Sequence, residues 1–210
     1  MNWRLIVLSG LLWTLTGCTG LLQSRAPAPD VYVLTSKTLP NVAPMREAVL
    51  WVAKPTARAG LDSDHLVLTL ADRRSDVYAS ARWAAPLPQM VEGLLLDALR
   101  SSGAISAVVS ERSAFRGRYL LQTDITAFTA DYSDGSARPT VRVTVRGTLG
   151  IPGERRLLAT VSGTGAVMAS VDRRGEVVAA YQAAWDAAAN ELVTAVSLSL
   201  IHISEPTRPY

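Results

Sequence analysis

The chain has 210 residues, 49% of them hydrophobic and 19% charged, with a formal net charge of +3. Its basic residues are scattered, and the pairs Arg73-Arg74, Arg155-Arg156 and Arg173-Arg174 fall where turns are predicted, without interleaved aromatics. That pattern argues against a nucleic-acid surface. With the N-terminal segment set aside, roughly 190 residues remain, which suits a single domain with its own core.

Met1-Asn2-Trp3-Arg4 carry one positive side chain and no acid, and a run dominated by apolar residues follows from Leu5 to Leu15. These are the charged and apolar regions of a signal peptide, predicted over residues 1–17. The apolar run is well short of the ~20 residues that cross a bilayer as a helix. It ends in Leu15-Thr16-Gly17-Cys18, which matches a lipobox: small residues admit the peptidase, and a thiol is the nucleophile that takes up a diacylglyceryl group. Cys18 is the only cysteine, so it has no partner for an internal disulfide and is the predicted lipidation site. Two or three acyl chains there would give stable anchoring, where one chain is marginal. Thr19 stands where aspartate would retain a lipoprotein in the inner membrane, so the expected location is the periplasmic face of the outer membrane. Residues 18–30, with Gln23-Ser24-Arg25-Ala26-Pro27-Ala28-Pro29, read as a semi-extended tether.

The domain proper is predicted over residues 31–198. Strands are expected at 31–34, 48–52, 65–70 and 76–83, the third from the alternation of Leu66, Leu68 and Leu70. Pro86 and Pro88 end this region and open a helix over 88–102, with Val91, Leu94, Leu95, Ala98 and Leu99 in one stripe and Gly103 as its stop. A short strand at 105–109 follows. Long strands are then expected at 119–132, 140–149 and 156–168, separated by Asp134-Gly135-Ser136 and Pro152-Gly153-Glu154. Val141, Val143 and Val145 alternate with Arg142, Thr144 and Arg146, the mark of an antiparallel meander with one buried face. A second helix over 176–197 carries Val178, Tyr181, Trp185, Ala188, Leu192 and Val196 at helical spacing. The fold expected is α+β: a mixed, largely antiparallel sheet with two amphipathic helices packed on it, in a single domain. Residues 199–210 resemble a translated sequencing adapter, so they are expected to be a non-native tail outside the fold.

Catalytic chemistry finds little support. Asp62-Ser63-Asp64-His65 lacks a second histidine or cysteine and reads as a solvated turn rather than a metal site. No Gly-x-Ser-x-Gly elbow is present, and His65 is the only base outside the suspect tail. Gly163-Thr164-Gly165 lacks the third glycine of a dinucleotide loop and is better explained by a bulge or close strand contact. Asp124, Asp131 and Asp134 form no credible glycosidase pair. The expectation is a protein that is not an enzyme and uses no cofactor or metal.

Several segments resemble the auxiliary lipoproteins of MCE-type ABC transport systems, the PqiC-like (YmbA-like) family. They are Tyr32-Val33-Leu34, Leu50-Trp51-Val52-Ala53-Lys54-Pro55, Asp64-His65-Leu66-Val67-Leu68, and Tyr78-Ala79-Ser80-Ala81-Arg82-Trp83-Ala84-Ala85-Pro86-Leu87 ahead of the first helix. Where the family more often has a Leu-Asp-x-Pro-x-Ile stretch, this chain has Ser63 and His65. The resemblance implies a non-enzymatic partner of an MCE-domain protein and, through it, of an ABC permease and ATPase that move lipids or other hydrophobic compounds. It implies action by docking while a lipid anchor holds the protein to the membrane. Tyr78, Arg82 and Trp83 are the candidate partner-binding residues, since aromatic and arginine side chains are enriched at binding hot spots, with core packing of Trp83 the competing reading. The alternatives are a direct lipid-binding carrier and an envelope-assembly activator.

Overall fold

The computed structural model describes residues 28–37 and 45–204. The signal peptide, Cys18 and most of the tether lie outside the described residues.

Among the described residues nine strands form one mixed sheet: β1 (Asp30–Tyr32), β2 (Met45–Val52), β3 (Thr56–Ala57), β4 (His65–Thr69), β5 (Ser75–Trp83), β6 (Ile105–Ser110), β7 (Tyr119–Asp131), β8 (Thr140–Ile151) and β9 (Arg156–Met168). Two helices, α1 (Leu87–Ser101) and α2 (Arg174–Ser204), pack against it. The fold is thus the α+β arrangement expected, a mixed and largely antiparallel sheet carrying two helices.

β7 organises the sheet. Along one edge it pairs antiparallel with β8, which pairs antiparallel with β9, giving the predicted meander. Three strands in turn share its other edge, all parallel to it: β2 at its start, β3 in the middle and β4 at its end. β6 extends the sheet beyond β2, and β5 and β1 extend it beyond β4. The two-residue β3 has no sequence signature, being far below the length at which alternation can be seen.

Burial follows the alternation. Val141, Val143, Val145 and Leu149 of β8 are at most 1% exposed, whereas Arg142, Arg146 and Thr148 point to solvent. The buried face meets both helices. In α1, Pro86 is the N-cap and Pro88 lies in the first turn, where a missing N–H costs nothing. Gly103, with φ 63°, ends the helix in the left-handed region that glycine tolerates. Val91, Leu94, Leu95, Ala98 and Leu99 are all buried, as predicted.

The second helix starts earlier and ends later than the spacing predicted. Its stripe holds Val177, Tyr181, Trp185, Ala188, Leu192 and Val196 in the core, while Val178 lies at the margin. The segment from 199 was expected to lie outside the fold, yet α2 continues to Ser204 and Leu200 is 1% exposed. Leu200 follows Val196 by four residues, so the apolar stripe runs on through the helix's next turn.

Gly163 and Gly165 explain how α2 lies so close to the sheet. A Cβ on Gly163 would collide with the Ala188 carbonyl, and one on Gly165 with the Ala184 carbonyl. Their role is close helix contact, rather than a bulge or a contact between strands. Glu191 adds to it, accepting hydrogen bonds from the backbone N–H (2.8 Å) and the hydroxyl (2.9 Å) of Thr164, on the edge of β9 away from β8.

Candidate functional site

The three candidate partner-binding residues sit on β5 but in different surroundings. Trp83 is 3% exposed and forms edge contacts with Phe128 (5.8 Å) and Tyr181 (5.2 Å), which themselves stack at 5.2 Å. Its place is the core, so the reading of Trp83 as a surface contact is corrected. Tyr78 and Trp83 are an odd number of residues apart and would face opposite sides of a regular strand. Ser80 breaks that parity: its φ is 57°, and the β4 to β5 register slips between His65 and Val67, so both rings turn toward the core.

Tyr78 is half-buried, and its hydroxyl hydrogen-bonds the Tyr132 hydroxyl (2.8 Å), which donates to Asp172 Oδ1 (2.6 Å). This relay joins β5 to the end of β7 and to the turn before α2. Burial pushes the Tyr78 phenol above its ordinary value, and the Tyr132 hydrogen bond only partly opposes it. The Tyr132 phenol is raised by burial and by its hydrogen bond to the Asp172 carboxylate, and the Tyr181 phenol is raised strongly by burial. Tyr181 donates to the Val67 carbonyl (2.7 Å), so it is buried with its polar atom satisfied.

Arg82 is exposed, and its guanidinium donates to Asp64 Oδ2 (3.1 Å), while the other carboxylate oxygen lies 3.6 Å from His65 Nδ1. The backbone of this turn is tied down as well: Asp64 O accepts from Trp83 N and Ser63 O from Leu87 N. The segment Asp62 to His65 is therefore a turn leading into β4, braced against the end of β5 and the start of α1. Among the described residues, no group of three or more His, Cys, Asp or Glu side chains is placed to hold a metal. A shallow cleft of about 300 Å3 is lined by Pro29, His65, Val77, Tyr78, Ser80 and Arg82 among others.

The same region receives the chain from its N-terminus. β1 pairs parallel with β5, setting Asp30 beside Ala81 and Tyr32 beside Trp83. Arg174, at the start of α2, bridges Asp30 Oδ2 (2.9 Å) and the Ser80 carbonyl (3.1 Å). Further on, the Gln182 amide imitates a strand: its Oε1 accepts from Thr35 N (2.9 Å) and its Nε2 donates to Thr35 O (2.8 Å). Lys37 then pairs with Asp186 at 2.7 Å. The segment Asp30 to Lys37 is thus stitched to α2 at three points. Sequence reasoning missed Arg174, Gln182, Tyr132 and Asp172, since each acts on a partner far away in the chain.

The first arginine of each pair lies in a turn as predicted, Arg73 and Arg155 with positive φ, whereas Arg156 opens β9 and Arg174 opens α2. Asp131 is held below the usual carboxylate range, because hydrogen bonds from Ser133 and Arg142 outweigh the opposing effect of burial.

Among the described residues, no helix is long and apolar enough to cross a membrane. Comparison with known structures finds protein XCC0632 from Xanthomonas campestris similar at TM-score 0.77 and 29% identity, over 84% of this chain and 99% of that one. A crystal structure of an uncharacterised protein is similar at TM-score 0.59 and 18% identity, over 85% and 100% of the two chains, and this likeness bears on fold alone. No curated protein matches by sequence. The family model described as "ABC-type transport auxiliary lipoprotein component" matches residues 32–193, from β1 into α2. The chain therefore belongs to the ABC-type transport auxiliary lipoprotein family.

Proposed function

We propose that this protein is a non-enzymatic auxiliary component of an MCE-type ABC transport system for lipids or other hydrophobic compounds. Lipidated Cys18 anchors it at the periplasmic face of the outer membrane, and it docks to the MCE-domain component, which links it to the permease and ATPase. The observation that carries this reading is the family match over residues 32–193, which takes in β2 to β9 and most of α2. The packing supports docking over lipid carriage: Tyr181, Trp185, Leu192 and Val196 are at most 1% exposed, leaving no room for an acyl chain between α2 and the sheet. With Trp83 in the core, the contact surface on β5 reduces to Arg82 and the rim of Tyr78.

Two experiments test the reading. Cys18→Ser should abolish lipid labelling and shift the protein to the soluble fraction; retention in the membrane with normal processing would overturn the anchor. Arg82→Ala and Tyr78→Ala should weaken co-purification with the MCE-domain component by about fivefold or more. Unchanged recovery would remove the β5 surface from the mechanism. Stoichiometric lipid found by mass spectrometry after delipidated purification would favour a carrier instead.

A further inference from the structure

The solvent face of the sheet changes character at one end. Its cross-strand rows are polar over most of its length: Gln122, Thr148 and Thr160 stand side by side, as do Asp124, Arg146 and Ser162. The row nearest the start of β7 is apolar instead. Val109 of β6 stands beside Trp51 of β2, Trp51 beside Leu120 of β7, Leu120 beside Gly150 of β8, and Gly150 beside Leu157 of β9. Neighbouring strands are about 4.8 Å apart, so five strands carry an apolar band roughly 20 Å long. Leu157 is 63% exposed, and Phe115, in the loop leading into β7, is 76% exposed. Single exposed apolar side chains are ordinary, but a continuous row is not.

Gly150 contributes no side chain to the row, and the Arg156 carbonyl lies 2.9 Å from where its Cβ would stand. At Gly150 lies a cleft of about 200 Å3 lined by Leu120, Pro152, Arg155 and Leu157 among others. That is below the roughly 300–1,000 Å3 of small-molecule pockets and suits an inserted side chain. The rim is cationic: the Arg116 guanidinium lies over the Trp51 ring at 4.2 Å, and Arg155 borders the cleft. Neither of these two arginines forms an ion pair among the described residues, unlike Arg156, which pairs with Glu154 at 3.2 Å.

The row also has a definite place relative to the chain's N-terminal entry. β1 runs parallel to β5, β5 antiparallel to β4, and β4 parallel to β7, so the chain enters the domain beside the end of β7. The Asp30 to Arg174 pair places that entry at the start of α2. The apolar row lies beside the start of β7, roughly 25 Å away along the strands. The chain thus enters the domain at the end of the sheet opposite this row.

We infer that the apolar row and its arginine rim form a second docking surface, whose occupant is a protein segment with an apolar side chain flanked by carboxylates. This rests on the reading of the protein as a docking component and names the MCE-domain protein as the source of that segment. Arginine around an apolar centre favours an acidic partner and fixes its register.

The test measures the affinity of the purified full-length protein for the purified MCE-domain component of its own system. Leu157→Ser and Arg155→Glu should each weaken it about tenfold or more, with the Arg155→Glu effect shrinking at high salt. Ser162→Ala, in a polar row of the same face, should change nothing. Binding that survives both row variants but falls with Arg82→Ala overturns this inference and leaves the proposed function standing. No binding by the unaltered protein overturns both. Loss of co-sedimentation with phosphatidylglycerol vesicles when the row variants are made in the non-lipidated Cys18→Ser background, at unchanged affinity for the MCE component, assigns the surface to a membrane and overturns the protein partner.

Discussion

Gly163→Ala and Gly165→Ala test the contact that closes the core. Both positions lie on the inner face of β9, opposite Val145 and Val143 of β8. An added Cβ at Gly163 would overlap the Ala188 carbonyl oxygen and sit 2.9 Å from Leu192 Cβ, and at Gly165 it would overlap the Ala184 carbonyl and sit 2.9 Å from Ala184 Cα. Carbon atoms rest in contact at about 3.5–4.0 Å, so α2 would have to retreat by close to 1 Å. The obstructing atoms belong to the helix backbone, whose ladder resists a local shift. Overpacking of this kind costs about 1–3 kcal/mol, and the upper end applies where backbone must move. At about 2–4 °C per kcal/mol for a domain of this size, each substitution should lower Tm by about 5–10 °C. Gly93 gives the opposite sign: it lies in α1 with nothing within 4 Å of a built Cβ, so Gly93→Ala should stabilise by about 0.5–1 kcal/mol. Thermal melts followed by circular dichroism at 222 nm read all three. If Gly163→Ala and Gly165→Ala melt within about 1 °C of the unaltered protein, the close packing described here is wrong.

Gln182→Ala removes both hydrogen bonds to the Thr35 backbone, each worth about 0.5–1.5 kcal/mol, and should speed amide exchange at Thr35. Exchange unchanged by the substitution would mean that the amide does not hold this segment. Trp83→Ala should cost about 3–5 kcal/mol by emptying the aromatic cluster with Phe128 and Tyr181, and should erase its near-ultraviolet circular dichroism; a small loss would return Trp83 to the surface. The phenols of Tyr78, Tyr132 and Tyr181 bind their protons more tightly folded than unfolded. Their contribution is therefore intact below the ordinary tyrosine value of about 10 and is lost as pH rises past it. Urea unfolding between about pH 8 and 11 should report that fall, and Tyr132→Phe should flatten it; equal slopes would count against the relay.

The elements read well from the sequence wherever period and length agreed. β7, β8 and β9 alternate over a dozen residues each, and α1 carries an unbroken stripe between proline and glycine. Trp83 was ambiguous because alternation cannot be projected through Ser80, whose left-handed backbone only the folded chain displays. Gly163 and Gly165 were visible as unusual, but the matching small residues, Ala184 and Ala188, lie one turn apart on a helix some 20 residues later. The apolar row was invisible for a related reason. Each strand contributes a single residue, and only the register of five strands sets Trp51, Leu120 and Leu157 in line.

The shared edge of β7 also bears on the order in which the chain assembles. β7, β8 and β9 are sequence neighbours joined by short turns, and α2 follows directly, so this half closes through local contacts. By contrast β2, β3 and β4 must find β7 across long intervals, Thr56 reaching Asp124 over 68 residues. Closing such loops is entropically slow, and the cost is met only when a template already exists. β1 depends on β5, which depends on β4, so it joins last. A chain that emerges N-terminus first would therefore close the β4–β5 hairpin early but leave the β7 partners of β2, β3 and β4 missing until β7 itself has emerged.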